Sequence, residues 1–400
     1  MVRESLWVAA CLAGLGAGAA RAADIAVKIG VLNDRSGVYS DTGGEGSEVA
    51  ARMAVEDFHA ADKGIRVTVV AADHQNKPDV GANVAREWFD RDDVDVVADV
   101  PSSAVALAVS RIAREKNKIM LNSGAGSSDL SGVACSPNTI NWTYDTYALA
   151  KGTATSLVKQ GGKSWFFVTA DYTFGHKLEE DAAAFVKASG GTVVGHVNAP
   201  FPTSDFSSFL LQAQGSGAQV VGLANAGGDT INAIKQAAEF GLVQNGQRLA
   251  GLLVFISDVH ALGLQAAQGL ELTTAFYWDR DAASRDFGRR FAARDKGRMP
   301  TMDHAGVYSS IIHYLKAVDA LKSKDTGAVL AKMHAIPVDD ALFGHGEVRV
   351  DGRVTHPMYL YQVKTPAESK TPYDYYKLVD TIPADRAFRP LNEGGCQLVK

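Results

Sequence analysis

The stretch VVADVPSSAVALAVSRIAREKNKIMLNSGAGSSD, residues 96–129, contains two strand patterns separated by a helix pattern. The apolar run at 94–100 is rich in β-branched residues and stops at Pro101, which is typical of a buried parallel strand. Apolar residues then recur at helical spacing over 104–116, before a second short apolar run at 119–121. The stretch therefore predicts a strand–helix–strand unit of a parallel sheet.

Both predicted strands end in small polar residues that are suited to holding an anion. Ser102 and Ser103 follow the first strand, and the loop NSGAGSS at 122–128 follows the second. Glycines let backbone N–H groups approach a ligand closely, and a helix N-terminus favours a carboxylate or a phosphate. The alternative is that these serines only cap helices and turn the chain. Because ligands of open α/β sheets bind beyond the carboxyl ends of the strands, two such loops predict a site there.

The size and composition of the chain limit what it can be. Its 400 residues suit two domains, and 46% hydrophobic residues are enough to give each domain a core. A formal net charge of -5 with no basic cluster argues against nucleic acid as a partner. No stretch after the N-terminal leader is long and apolar enough for stable membrane insertion.

The N-terminus has the pattern of a cleavable secretory signal peptide. Arg3 precedes an apolar run at 6–20, and Ala20-Arg21-Ala22 has the small-x-small form of a cleavage site, so residues 1–22 are expected to be removed. A membrane anchor and lipidation at Cys11 are the alternatives. The sequence therefore predicts a periplasmic protein.

Two cysteines remain after the leader, Cys135 and Cys396. In an oxidising compartment such a pair most simply forms a disulfide, which would fix the C-terminal tail to the loop before Asn141. Two separate free thiols are the alternative.

Strands and helices alternate along most of the mature chain, in two similar halves. Alternation of this kind indicates an α/β fold in which each half is a parallel sheet flanked by helices. The predicted strands are 25–32, 67–72, 94–100 and 119–121 in the first half, and 165–169, 192–197, 220–223 and 252–256 in the second. A further strand at 270–278, amphipathic helices at 279–296 and 303–322, a hairpin at 346–354 and a strand at 358–363 follow them.

The order of several short motifs resembles the leucine-binding family of solute-binding proteins from branched-chain amino acid type ABC transporters. The similarity spans the mature chain, and the motifs are KIGVL with Ser36-Gly37, AVEDF, VPSSAVALA, NSGAGSSDL, TADYTFG, SDFSSFLLQAQ and GEVRVDGR. The resemblance implies the type I periplasmic binding fold, with two lobes joined by a three-strand hinge. The lobe boundaries that we predict are 23–141 with 276–355 for the N-terminal lobe and 142–275 with 356–400 for the C-terminal lobe, with crossings near Asn141, Ala275 and Thr355.

The resemblance also implies a ligand site in the cleft between the lobes. By the family pattern, Ser102 and the backbone of Gly124 and Ala125 take a ligand carboxylate, while Asp258 lies next to the acidic residue that pairs with an ammonium group. The chain departs from the pattern at three places, where Gly126 replaces a hydroxyl residue, Phe174 replaces a tyrosine, and Ala226 or Gly227 replaces an aromatic residue. These departures favour a carboxylate over a strict α-amino acid. The predicted ligand-binding residues are Tyr39, Ser102, Ser103, Asn122, Gly124, Ala125, Ser127, Trp142, Tyr172, Phe174, Asn225 and Asp258, with Tyr144 and Tyr308 as further aromatic candidates.

The resulting prediction is a monomeric solute-binding protein that delivers a small carboxylate to the permease of an ABC importer. The ligand is either an amino acid or an aromatic acid, and no cofactor or metal is expected. An enzyme is disfavoured because the sequence contains no G-x-S-x-G elbow, no H-E-x-x-H metal motif and no complete dinucleotide loop. A sensory domain that reports its ligand to a receptor is the remaining alternative.

Overall fold

A computed structural model describes residues 24–400, and the predicted signal peptide lies outside the described residues. The first lobe is built on a five-stranded parallel sheet with the order β2-β1-β3-β4-β5. Its elements are β1 (Ile25–Asn33), α1 (Gly44–Asp57), β2 (Ile65–Asp73), α2 (Pro78–Asp90), β3 (Val96–Asp99), α3 (Ser103–Glu115), β4 (Ile119–Asn122) and β5 (Thr139–Asn141).

The second lobe is built on a four-stranded parallel sheet with the order β7-β6-β8-β9. Its elements are α4 (Thr146–Lys159), β6 (Ser164–Ala170), α5 (Thr173–Ala188), β7 (Thr192–Ala199), α6 (Ser207–Gly215), β8 (Val220–Ala224), α7 (Gly228–Glu239), β9 (Arg248–Gly251), α8 (Ile256–Leu262), α9 (Leu264–Ala267) and β10 (Glu271–Thr274). The predicted α/β fold with two parallel sheets is confirmed.

The rest of the chain contributes to both lobes. It forms α10 (Ala282–Ala292), α11 (Met302–Leu321), α12 (Thr326–Ala335), β11 (Val338–Asp340), β12 (Gly344–Gly346), β13 (Met358–Val363), β14 (Tyr376–Ile382) and α13 (Ala384–Ala387). Helix α11 packs on α1 and the first sheet, whereas β13 pairs antiparallel with β10 and β14 in a three-stranded sheet that contacts α4. The chain therefore returns to the first lobe and then to the second, although the lobe boundaries themselves stay a prediction.

Each parallel sheet carries helices on both faces, as the apolar patterns require. In the first lobe α1 and α11 cover one face, and α2 and α3 cover the other. In the second lobe α4 and α5 lie on one face, and α6 and α7 lie on the other. Strands buried on both faces are apolar throughout, which is why β3, β6 and β8 appear in the sequence as unbroken apolar runs.

The segment 252–256 was predicted as a strand, and that prediction is wrong. Strand β9 ends at Gly251, where its pairing with β8 stops, and α8 begins at Ile256. The run stays apolar because Leu252–Phe255 are buried, with Leu253 and Phe255 in the wall of a cavity between the lobes. The hairpin predicted at 346–354 is present in short form. Val348 and Val354 make an antiparallel bridge, and the backbone N–H groups of Arg349 and Thr355 donate to the oxygens of Arg353 and Glu347.

The C-terminal tail is fixed to the first lobe by a disulfide between Cys135 and Cys396, the pairing expected from the sequence, with Cα atoms 5.6 Å apart. Arg389 of the same tail donates hydrogen bonds to Ser128 in the first lobe and to Asp181 on α5 in the second. The tail therefore contacts both lobes beside the place where the chain crosses between them.

Candidate functional site

The two lobes meet around a small cavity beyond the carboxyl ends of their strands. The register of the first sheet brings Leu32 opposite Asp99 and Asp99 opposite Asn122, so the strand ends reach the same edge. The loops that follow these ends supply one wall of the cavity, and loops of the second lobe supply the other. The lining residues are Tyr39, Thr42, Pro101, Gly124, Tyr144, Tyr172, Phe174, Ala226, Leu253, Phe255 and Asp303.

The loop after β1 is held by one carboxylate. Asp34 accepts hydrogen bonds from the backbone N–H groups of Gly37 and Tyr39, at 2.7 and 2.9 Å. These bonds fold the loop back over the sheet edge and bring the Tyr39 ring into the cavity. The phenol is almost fully buried, and burial raises its pKa well above the ordinary value.

The end of β3 has a strained backbone at the cavity edge. Asp99 has φ 79° and Val100 has φ 58°, and a positive φ is costly for a β-branched residue. This bend turns the chain into Pro101 and positions the N-terminus of α3 toward the cleft. Strain of this kind is concentrated at binding and active sites in proteins.

Aromatic rings form most of the remaining wall. Tyr172 stacks on Phe201 with ring centroids 4.0 Å apart, and the Tyr144 hydroxyl donates to the backbone oxygen of Gly124 at 2.5 Å. Phe255 meets Tyr144 edge to face at 6.3 Å. The cavity is therefore apolar on several sides and fits a compact ligand with an apolar or flat body.

Direct contacts join the lobes across the cleft. The Tyr39 and Tyr172 hydroxyls hydrogen-bond each other, and the backbone N–H of Gly228 donates to the oxygen of Val38 at 3.0 Å. Lys177 of α5 pairs with Asp129 at 3.2 Å. The structure is thus a closed form, in which a ligand is enclosed on both sides.

Carboxylates are the charged groups at this site. Asp303, in the first turn of α11, is fully buried and lines the cavity, and desolvation raises its pKa well above the ordinary value. Desolvation also raises the pKa of Asp99 to about 6 and that of Asp258 to about 7. Within the described residues, neither oxygen of the Asp303 carboxylate has a hydrogen-bond partner.

In the two loops that were predicted to hold an anion, 102–103 and 122–128, the backbone amides of Gly124 and Ala125 have partners within the chain. The backbone N–H of Gly124 donates to the oxygen of Asp99 at 3.2 Å, and that of Ala125 donates to the Asn122 side chain at 2.9 Å. Both amides therefore have partners within the chain in this closed form, and their assignment to a ligand carboxylate stays a prediction. Ser102 occupies the N-cap position of α3, but its hydroxyl makes no hydrogen bond to the helix. The hydroxyl is buried and has no hydrogen-bond partner among residues 24–400.

The structure brings four of the predicted ligand residues to the cavity: Tyr39, Gly124, Tyr172 and Phe174. Most of the others have partners of their own within the chain. Ser103 accepts from the backbone of Ser127, Asn122 bonds Asn141, Asn225 accepts from Thr230, and Asp258 caps α8 through the backbone N–H of Phe255.

Trp142 and Tyr308 lie away from the cavity lining. Trp142 is completely buried, and its indole N–H donates to Ser309 at 2.8 Å, which makes it a core residue at the crossing between the lobes. Tyr308 donates to Asp57 on the outside of α1. Trp142 was expected at the site because aromatic residues gather near the crossing at Asn141, and Tyr308 was a further aromatic candidate. The hydrogen bonds to Ser309 and Asp57 account for their positions away from the lining.

Sequence reasoning missed Asp303, Thr42, Pro101, Leu253 and Phe255 among the lining residues. A signal did exist for Asp303, since Thr301 and His304 form a capping box that fixes the start of α11 at the sheet edge. What the sequence did not show is that this helix start faces the second lobe.

A model of the periplasmic binding protein family matches residues 26–370 of the chain. A crystal structure of a periplasmic binding protein from Burkholderia mallei is 51% identical, covers 94% of this chain and 99% of its own, and superposes with a TM-score of 0.91. A branched chain amino acid ABC transporter periplasmic ligand-binding protein from Burkholderia xenovorans LB400 is 41% identical, with 94% and 100% coverage and a TM-score of 0.83. The Leu/Ile/Val-binding protein homolog 6 of Brucella melitensis is 27% identical over 361 residues, which are 87% of this chain and 90% of that protein.

Proposed function

The chain belongs to the periplasmic binding protein family, and from that premise we propose that it captures a small carboxylate between its lobes and presents it to the permease of an ABC importer. Members of this family bind solutes and are not enzymes. The ligand classes that we propose are the amino acids and the aromatic acids. The protein acts as a monomer in the periplasm, and the closed form is the one that the permease recognises. Within residues 24–400, no helix has the length and apolar character that a membrane span requires.

The observation that carries this proposal is the enclosed cavity at the lobe interface. Its lining residues come from both lobes, and the bond between Gly228 and Val38 exists only when the lobes are closed. A ligand in this cavity is in contact with both lobes at once, so its binding energy favours closure.

Two features support a carboxylate with an apolar body. The Ser102 hydroxyl lies at the N-terminus of α3, where the helix dipole favours negative charge, and it is free to donate a hydrogen bond. The rings of Tyr39, Tyr172 and Phe174 supply an apolar wall that suits an aliphatic or aromatic side chain.

A thermal-shift screen tests the proposal. Leucine, phenylalanine, benzoate and 3-phenylpropanoate are added to the mature protein, and at least one should raise the melting temperature, because a ligand that binds only the native state stabilises it by about 2.7 kcal/mol at a hundred times its Kd. Small-angle X-ray scattering should show a more compact protein with that compound. No shift with any of the four, or chemical conversion of the bound compound, would contradict the proposal.

A further inference from the structure

Asp303 is an acidic group in the cavity that the carboxylate proposal does not use. It follows the N-cap Thr301 of α11, and its side chain has no solvent exposure. In the part of the chain that the structure describes, both of its carboxylate oxygens lack a hydrogen-bond partner. A buried ionised carboxylate without a partner is costly, which is why burial raises the pKa of Asp303, and a positively charged group on a ligand would offset that cost.

No cation of the protein neutralises this site. The lining residues of the cavity, all within the described range 24–400, include no Lys, Arg or His. His304 is adjacent in sequence, but its ring accepts from the backbone N–H of Thr301 and its other nitrogen bonds the oxygen of Gly43. Burial lowers the pKa of this histidine to about 4, so it is neutral near pH 7.

Closure of the lobes adds further negative charge to the site. Asp99 of the first lobe and Asp258 of the second both act on Asp303, and each raises its pKa by repulsion. Asp258 in turn is repelled by Asp41 of the first lobe. Acidic side chains of both lobes therefore interact in this closed form, and a positive charge on a ligand beside Asp303 would stabilise the ionised carboxylate.

The aromatic rings provide a second independent feature that favours a cation. Tyr144 and Asp303 both line the cavity, and after the main effect of burial the carboxylates of Asp303, Asp99 and Asp258 also raise the pKa of this phenol. Tyr39, Tyr172, Phe174 and Phe255 complete the wall around it. Ring faces attract a positive nitrogen, most strongly where water is excluded.

We propose that Asp303 is the counter-ion of a positively charged amine on the ligand, which makes the ligand an amine-bearing compound and excludes a simple aromatic acid. This inference rests on the proposed function, because it takes the interlobe cavity as the binding site. The amine lies against Asp303, surrounded by the aromatic side chains of the cavity wall. Its positive charge stabilises the ionised form of the Asp303 carboxylate in the closed protein. The carboxylate of a zwitterion then points toward Ser102.

Two sets of matched compounds test this inference by isothermal titration of the mature protein. The first set shares a phenylethyl group and consists of phenylalanine, 2-phenylethylamine and 3-phenylpropanoate. The second set shares a 3-methylbutyl group and consists of leucine, 3-methylbutylamine and 4-methylpentanoate. The amine-bearing members of a set should bind at least about tenfold more tightly than the acid that lacks the amine, since a buried charge pair strongly favours association.

The substitution Asp303→Asn keeps the shape of the side chain and removes its charge. It should weaken binding of the amine-bearing compounds about a hundredfold and leave the amine-free acids within about threefold of the wild type. Asp258→Asn is the matched buried variant and should change the same affinities less than about tenfold, because its carboxylate already caps α8. Asp380→Asn, on the exposed face of β14, is the surface control.

Unchanged binding of the amines by Asp303→Asn, or equal losses in Asp303→Asn and Asp258→Asn, would overturn the assignment. If the amine-free acids bind the wild type as tightly as their amine-bearing counterparts, the inference fails and the proposed function stands. If none of the six compounds binds the wild type, the proposed function fails together with the inference.

Discussion

Replacement of Gly227 by alanine should block closure of the lobes while leaving the fold intact. Gly227 belongs to the second lobe and faces Val38 and Tyr39 of the first. A Cβ atom at this position would lie 2.4 Å from the backbone oxygen of Val38 and 3.0 Å from the Tyr39 ring. The same residue has φ 57° and ψ -132°, which a residue with a side chain adopts only under strain.

The magnitude follows from separating these two effects. Backbone strain of about 1–3 kcal/mol is present whether the lobes are open or closed, so it lowers the free energy of unfolding and hardly alters binding. The contact with Val38 exists only in the closed form, and overpacking of this kind costs about 1–3 kcal/mol. Because 1.4 kcal/mol corresponds to a factor of ten, the affinity for a ligand that requires closure should fall by about 5- to 150-fold.

The assay is isothermal titration with the compound that stabilises the wild type most in the thermal-shift screen. Gly228→Ala is the matched control, because a Cβ atom there would meet Val38 at an ordinary 3.4 Å, and its affinity should stay within about threefold of the wild type. Scattering at a compound concentration that saturates the wild type but not the Gly227→Ala variant should show a larger radius of gyration for the variant. Wild-type affinity and normal closure in Gly227→Ala would refute the reasoning that this cleft closes on the ligand.

Three further predictions follow from the same structure. Ser102→Ala should lower the affinity for carboxylates by about 10- to 150-fold with the melting temperature unchanged, because it removes a donor bond of about 1.5–3 kcal/mol that only the ligand uses. Equal affinities in titrations of both proteins would remove Ser102 from the site. The double variant Cys135→Ser, Cys396→Ser should lose about 2–5 kcal/mol of stability in urea denaturation, since the bond closes a loop across 261 positions, and an unchanged midpoint would contradict this. Burial raises the pKa of Asp229 and of Asp258 to about 7, so the native state binds these protons more tightly than the unfolded chain. The stability that these two groups contribute should be fully present below about pH 4 and should be lost as the pH rises through 7. Asp229→Asn should make the melting temperature less dependent on pH across that range, whereas the same decline in the variant would exclude Asp229 as a source.

The sequence predicted those parts of the fold that depend on local pattern. Strand β3, helix α3 and strand β4 were predicted within about two residues, because a buried apolar run, a serine cap and a helical repeat are all local signals. The segment 252–256 was misassigned because the sequence does not distinguish an apolar run in a strand from one in a cavity wall. The strand β14 was missed, since its exposed Leu378 and Val379 give no clear alternation.

For the site, the sequence located the loops and some of the side chains that line the cavity. Tyr172 and Phe174 were predicted through the family resemblance, in which Phe174 stands in place of a tyrosine, and both follow β6 at the end of a strand. Asp303 is distant from these residues in sequence and reaches the cavity only through the packing of α11 on the first sheet. Trp142 was assigned to the ligand for its position near a crossing, and only the packing against Ser309 and His313 shows it to be core.

A crystal structure of the mature protein grown with the best-binding compound of the six tests the central claim most directly. The compound should lie unaltered in the cavity between the lobes, with its amine within hydrogen-bond distance of the Asp303 carboxylate and the Gly228 to Val38 bond intact. A compound found elsewhere on the protein, or recovered as a different chemical species, would contradict the account.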